Sequence, residues 1–179
     1  MQVKEVLGEC LVKMGVADFT AESEYTEEQS ALLGRLLGAL NVAYREALTN
    51  DMPRYKTETV TVKKGVVDIG ALSERILYPV SLKTGDCRLR FVTEADGVYA
   101  DYDGRAELKY AYVPAALTLD GEIADMRLTS SLLSDGALGE YYFENRAFDI
   151  AKSFDGDFRA GLSAIKFKGR DLRLKRSWQ

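Results

Sequence analysis

Residues 44–62, YREALTNDMPRYKTETVTV, hold the change of rhythm that decides the fold. Up to Leu48 the apolar residues recur at helical spacing, whereas in YKTETVTV the β-branched Thr and Val residues alternate with charges, as in a half-buried strand. Proline cannot continue a helix and disfavours helical geometry in the residue before it, so a helix is expected to stop before Pro53 and a strand to follow.

Toward the N-terminus, Leu33, Leu36, Leu37, Leu40, Tyr44, Ala47 and Leu48 lie on one helical stripe, and Thr26 with Gln29 three residues later forms a capping-box pattern at its start. Before it, ADFTAESEYTEE (17–28) is acidic and glycine-free, and its part through Glu24 is expected to be a linker. Val3, Val6, Leu7, Cys10, Leu11 and Met14 predict a first amphipathic helix that ends at Gly15.

Toward the C-terminus, Leu89 and Phe91 alternate with Arg88 and Arg90, and Leu108, Tyr110 and Tyr112 alternate with Glu107 and Lys109. Gly85-Asp86, Asp96-Gly97 and Asp103-Gly104 punctuate these runs with residues suited to the positive φ angles of two-residue hairpin turns. Ile76 to Val113 is therefore expected to be an antiparallel meander. Pro79 predicts an edge or a bulge, because proline cannot donate to a ladder. After Pro114 the helical period returns: Leu128, Leu132, Leu133, Ala137, Tyr141 and Tyr142 predict a third helix, and Phe148, Ala151, Phe154, Phe158, Leu162 and Ile165 a fourth.

Either helical half alone would expose its apolar stripe, so the expected fold is α+β. Residues 1–52 and 115–165 form a helical bundle, 53–114 an inserted antiparallel β-domain, and 166–179 an extended basic C-terminal arm. The overall charge of −4 conceals this division. KFKGRDLRLKRSWQ (166–179) is basic, and the body is correspondingly acidic. A hydrophobic fraction of 46% without any run approaching a bilayer span of about 20 residues argues for a soluble protein with no membrane partner. The opening MQVKEVLGEC is unlike a signal peptide, and Cys10 and Cys87 are too far apart in sequence to suggest a disulfide framework, which together imply the cytosol.

The chain has no histidine and no glycine-rich phosphate loop, which removes histidine-based triads and the familiar nucleotide cradles. Glu140 and Glu144, one turn apart, with Asp149 nearby, are the best carboxylate pair for acid–base work, although such residues opposite an apolar stripe are commonly a solvated or capping face. Asp101-x-Asp103-Gly104 lacks most ligands of a calcium loop and is expected to be a hairpin tip. Tyr99, Tyr102, Tyr110 and Tyr112 suit half-buried strands and, as a second reading, a binding face. In the tail, charge and the indole of Trp178 fit nucleic acid, but the acidic body would repel phosphate. DLRLKRSW alternates apolar and basic residues, as a peptide docking on a partner does, which makes Arg170, Leu172, Arg173, Leu174, Lys175, Arg176 and Trp178 the candidate partner-binding residues. No catalytic, cofactor or metal residues are expected.

Three stretches carry a resemblance: LLGRLLGALNVAYREALTNDMPRYKTETV (32–60), ELKYAYVPAALTLDGEI (107–123) and GALGEYYFENRAFDIAKSFDGDFRAGLSAI (136–165). Their order, helix, helix, β-insertion, helix, helix and basic tail, resembles the head-to-tail connector (adaptor or head-completion) proteins of tailed bacteriophages. These patterns are architectural and include no catalytic signature. The resemblance implies a non-enzymatic virion subunit of the head-tail neck, assembled in the bacterial cytoplasm, that forms a ring, commonly of twelve copies, below the portal protein. It further implies contact of the arm with the portal or a neighbouring subunit, a downstream stopper or tail protein as partner, and genomic DNA passing through the channel without specific binding. A tail-completion or stopper protein is the nearest alternative. A nucleic-acid-binding regulator using the tail and a carboxylate enzyme centred on Glu140 are the alternatives of other classes.

Overall fold

The computed structural model describes residues 1–16 and 25–168, and among these four α-helices and seven strands make an α+β protein. The chain divides into two compact units, one drawn from Met1–Ala47 and Ala116–Gln179, the other from Leu48–Ala115.

The helical unit begins with α1 (Val3–Lys13), which buries Val3, Val6, Leu7, Cys10 and Leu11. Its end follows from Gly15, which adopts φ 76° and lets the Gly15 and Val16 amides donate to the Val12 and Leu11 carbonyls. The next helix, α2 (Glu27–Glu46), starts at the expected capping box: the Gln29 amide donates to Thr26 Oγ1 at 3.3 Å and the Thr26 amide to Gln29 Oε1 at 2.9 Å. Its stripe of Leu33, Leu36, Ala39, Leu40, Ala43 and Tyr44 is buried. Asn41 on α2 clamps the returning chain, since its side-chain amide donates to the Leu117 carbonyl and accepts from the Leu117 amide at 2.6 Å. A π-helical turn, Ala47–Asp51, precedes Pro53.

The unit is completed by α3 (Ser130–Glu144) and α4 (Phe148–Lys168), which pack on each other, with α3 also against α1 and α2. Gly136 on α3 permits this three-way contact: a Cβ there would stand 2.8 Å from Ala43 Cβ of α2 and 2.9 Å from ring carbons of Phe158 on α4. A polar latch joins α1 to α3, in which Lys13 Nζ reaches Asp135 Oδ1 at 2.5 Å and Ser134 Oγ at 2.8 Å while Glu9 accepts from Ser130. Ser134 is fully buried, and its hydroxyl donates to the Ser131 carbonyl, so no polar atom is orphaned there. The fourth helix continues through Lys168, so residues 166–168, expected in the arm, are helical; the remainder, 169–179, lies outside the described residues, as does 17–24 of the acidic linker.

The other unit is one antiparallel sheet. Its strands are β1 (Arg54–Lys63), β2 (Val66–Val67), β3 (Ile76–Thr84), β4 (Cys87–Leu89), β5 (Phe91–Thr93), β6 (Val98–Ala100) and β7 (Gly104–Tyr112), in the order β4-β3-β7-β1-β2-β6-β5. This corrects the expected meander over 76–113. The long final strand inserts between β1 and β3, with Arg54 opposite Tyr112 and Val62 opposite Gly104. Three long strands of matched alternation bury more apolar surface together than with their short sequence neighbours, and that gain outweighs the entropy of the longer loops. The two edge strands β4 and β5 are separated only by Arg90. One residue spans little more than about 3.5 Å, so the two edges meet there and the sheet nearly closes around Val60, Val62, Leu82, Val98, Leu108 and Tyr110.

Two of the three expected hairpin dipeptides are corrected. Gly85-Asp86 does form a two-residue turn between β3 and β4, with Gly85 at φ 56°. Asp96-Gly97 instead ends a longer loop, because Thr93 pairs with Val98 across residues 94–97. Asp103-Gly104 is no hairpin tip, since β6 and β7 are not neighbours; Asp103 instead accepts a hydrogen bond from the Lys64 amide. The tight turn the dipeptides missed is Lys64-Gly65, both at positive φ (51° and 77°) between β1 and β2. Pro79 sits in β3 where the register with β7 shifts, the bulge its missing N–H predicts.

Candidate functional site

Among the described residues, the helical unit presents a concave surface at the corner where α3 gives way to α4. Arg146 takes φ 61°, so that the Arg146 and Ala147 amides cap the Phe143 and Tyr142 carbonyls and the chain reverses within three residues. The reversal leaves Phe143 and Phe148 edge to face, ring centroids 5.6 Å apart, with 61% and 56% of their surface exposed. Gly139 keeps the helices close, a Cβ there falling 3.3 Å from the Asp155 amide nitrogen. Between them opens a groove of about 450 Å³ whose floor is Gly139, Phe143, Phe148 and Ala151 and whose rim is Glu140, Lys152, Asp155 and Arg159.

The rim carries both signs of charge. Arg159 is held by Asp155 at 2.9 Å and by Glu46 at 3.4 Å. Glu140 is half-buried, and burial pushes its carboxyl above the ordinary range, with Glu46, Asp155 and Glu144 adding to the effect and Arg159 opposing it. Glu144 and Asp149 are exposed. The carboxylates expected as an acid–base pair therefore differ in environment, and what the groove offers is an apolar floor under a rim of two carboxylates, Glu140 and Asp155, and two cations, Lys152 and Arg159.

A second constellation lies on the β-unit, where the inward face of β1 turns polar. The Tyr110 hydroxyl donates to Glu58 Oε1 at 2.9 Å, the Ser73 amide donates to Glu58 Oε2 at 3.1 Å, the Ser73 hydroxyl also donates to Glu58, and Lys56 Nζ reaches both Ser73 and Glu58. Hydrogen bonds from Ser73, then Tyr110 and Lys56, hold the Glu58 carboxyl down to about 2, and Glu58 in turn raises Lys56. A lysine beside a serine is the geometry of a base and its nucleophile, but a lysine kept charged by a carboxylate is no base, and this hydroxyl is directed at Glu58. The cluster ties the loop before β3 onto the sheet. No family model matches this chain, and no curated protein matches it.

The other residues singled out in the sequence are dispersed. Cys10 is buried, and burial pushes its thiol up to about 12, while Cys87 is exposed; both are free thiols. Among the described residues no His, Cys, Asp or Glu group could hold a metal ion, and no helix is long and apolar enough to cross a membrane. Tyr110 is wholly buried and Tyr99, Tyr102 and Tyr112 are half-buried, as strand residues would be. The exposed tyrosines of the sheet are instead Tyr55 and Tyr78, hydroxyls 3.4 Å apart, with Lys109 over the Tyr55 ring. Arg170, Leu172, Arg173, Leu174, Lys175, Arg176 and Trp178 lie outside the described residues. The groove was missed because Phe148 counted toward a core stripe; its place one residue beyond the Arg146–Ala147 reversal was the available signal.

Proposed function

We propose that this chain is a non-enzymatic structural subunit of a tailed-bacteriophage particle, a head-to-tail connector of the virion neck. In that role copies form a ring, of twelve in the commonest arrangement, on the portal protein, with a stopper or tail protein below and genomic DNA passing through. The observation that carries the reading is an apolar corner, Phe143, Phe148 and Ile150, left exposed on a helical unit whose own core is already closed. Exposed apolar surface of this kind marks a protein–protein contact, and the order of elements read from the sequence resembles that of the connector family. The basic C-terminal arm supplies a second contact, and an acidic body would let phosphates pass without holding them.

Co-expression with the portal encoded nearest to this chain, followed by pull-down and electron microscopy of the product, tests the reading. A ring seated on the portal is the expected outcome. Failure to bind the portal, together with absence from intact particles, would remove the connector role. Binding one ring further down would make the chain a stopper, and salt-sensitive DNA binding lost on deletion of 166–179 would make it a regulator.

A further inference from the structure

The outward face of the sheet is cationic, although the chain as a whole is acidic. Residues opposite one another in an antiparallel ladder share a face, so the registers sort the outward side chains into rows. Tyr55 and Tyr78 flank the buried Ala111 in one row. Thr57, Lys109 and Ser81 form the next, and Thr59, Glu107, Lys83 and Arg88 the one after. Arg105 follows, opposite Thr61. Leu89 and Phe91 pack against the core inside the sheet, so Arg90 between them points outward, as Arg88 does. Rows on one face are about 7 Å apart, which makes this face roughly 20 Å long.

Lys83, Arg88, Arg90, Arg105 and Lys109 are all exposed, and Glu107 is the carboxylate that stands in their rows. Among the described residues, none of these cations is ion-paired with a carboxylate. Asp86 and Asp103 stand in turns at one end of the strands, and Asp103 is occupied by the Lys64 amide. Beside the cations, Tyr55 and Tyr78 leave 51% and 40% of their surface exposed, and Lys109 Nζ lies 5.4 Å from the Tyr55 ring centre.

Unpaired cations next to exposed rings suit a polyanion that carries flat apolar groups. An acidic peptide would use the cations alone, whereas the bases of a nucleic acid also stack on the rings. The face is the outer one of a nearly closed sheet, and therefore convex. A duplex, stiff over many times the length of this face, touches a convex surface along a line, while a single strand bends over it. We infer that this face binds single-stranded nucleic acid, its phosphates on Lys83, Arg88, Arg90, Arg105 and Lys109 and its bases on Tyr55 and Tyr78. The inference goes beyond the connector reading and does not rest on it.

The test is fluorescence anisotropy of a labelled oligodeoxythymidine about 12 nucleotides long, within the site sizes of sheet-borne single-strand binders, titrated with the full chain over a range of salt. Affinity should fall with salt, and a duplex of equal length should bind more weakly. Arg90→Gln/Lys109→Gln should weaken binding several-fold and flatten the slope of log K against log salt by about 1.4, two contacts at roughly 0.7 each. Tyr55→Leu/Tyr78→Leu should weaken binding by about fivefold or more and leave that slope unchanged. Both variants change exposed side chains, so their circular dichroism should match the wild type. A chain lacking 169–179 should show the same losses, which separates the face from the basic tail. Absence of binding at low salt would overturn the inference. So would binding that both double variants retain and removal of 169–179 abolishes, which places it on the tail. Wild-type affinity of the tyrosine variant, or binding of the duplex or of poly-glutamate as tight as that of the single strand, would also overturn it. Failure to bind a portal with these losses in place would refute the connector reading and leave the sheet-face assignment intact.

Discussion

Replacing Gly136 by alanine puts one methyl group where there is no room for it. The added carbon would stand 2.8 Å from Ala43 Cβ and 2.9 Å from two ring carbons of Phe158, both buried neighbours. Neither can step aside by changing rotamer: the Ala43 methyl is fixed to the α2 backbone, and the Phe158 ring is enclosed. Overpacking a close-packed core costs about 1–3 kcal/mol, and two unyielding contacts place this case toward the upper end. Alanine returns about 1 kcal/mol through its better helix propensity. The net loss is therefore roughly 2 kcal/mol, or on the order of 4–8 °C in Tm for a chain of this size. Gly38 on the exposed side of α2 supplies the control, because nothing lies within 4 Å of a Cβ there; Gly38→Ala should stabilise by about 1 kcal/mol. Both variants are to be compared by calorimetry and urea denaturation. If Gly136→Ala melts at or above the wild-type temperature, the close approach of α2, α3 and α4 described here is wrong.

Glu58, held at about 2 against an ordinary 4.5, stabilises the β-unit above the ordinary value and ceases to do so as pH falls through 2. Glu58→Gln should therefore be less stable than wild type at pH 7, with a gap that closes on acidification; a gap unchanged between neutral pH and pH ~2 would refute the carboxylate's role. Lys64 occupies positive φ in the two-residue β1–β2 turn, a conformation asparagine tolerates better. Lys64→Asn should raise the urea midpoint by an amount equivalent to about 0.5 kcal/mol, and a lower midpoint would mean the turn is not of this type.

Local signals carried the helices well. The Thr26–Gln29 box, Gly15 at a positive φ and the stripe from Leu33 to Tyr44 are each written within a few consecutive residues, and each stands where expected. Pro79 likewise announced its own bulge. The strands were recognisable as strands, but their partners were not. That β7 pairs with β1 across more than forty residues, and that one residue, Arg90, joins the two edges of the sheet, depends on matched strand lengths and on closure, which no short window contains. For the same reason the Lys56–Glu58–Ser73–Tyr110 cluster was invisible: its members become neighbours only once β7 lies beside β1.

By itself, then, the sequence determined the class of the helices and long strands, the end of α1 at Gly15 and the start of α2 at its capping box, because caps, stripes and breakers act over one or two turns of chain. It also determined the charge contrast between an acidic body and a basic tail. Only the tertiary structure decided the strand order, the near closure of the sheet and the groove under Phe143 and Phe148. Those follow from burial shared among segments distant in the chain, and a hydrophobic residue carries no mark of which partner will cover it.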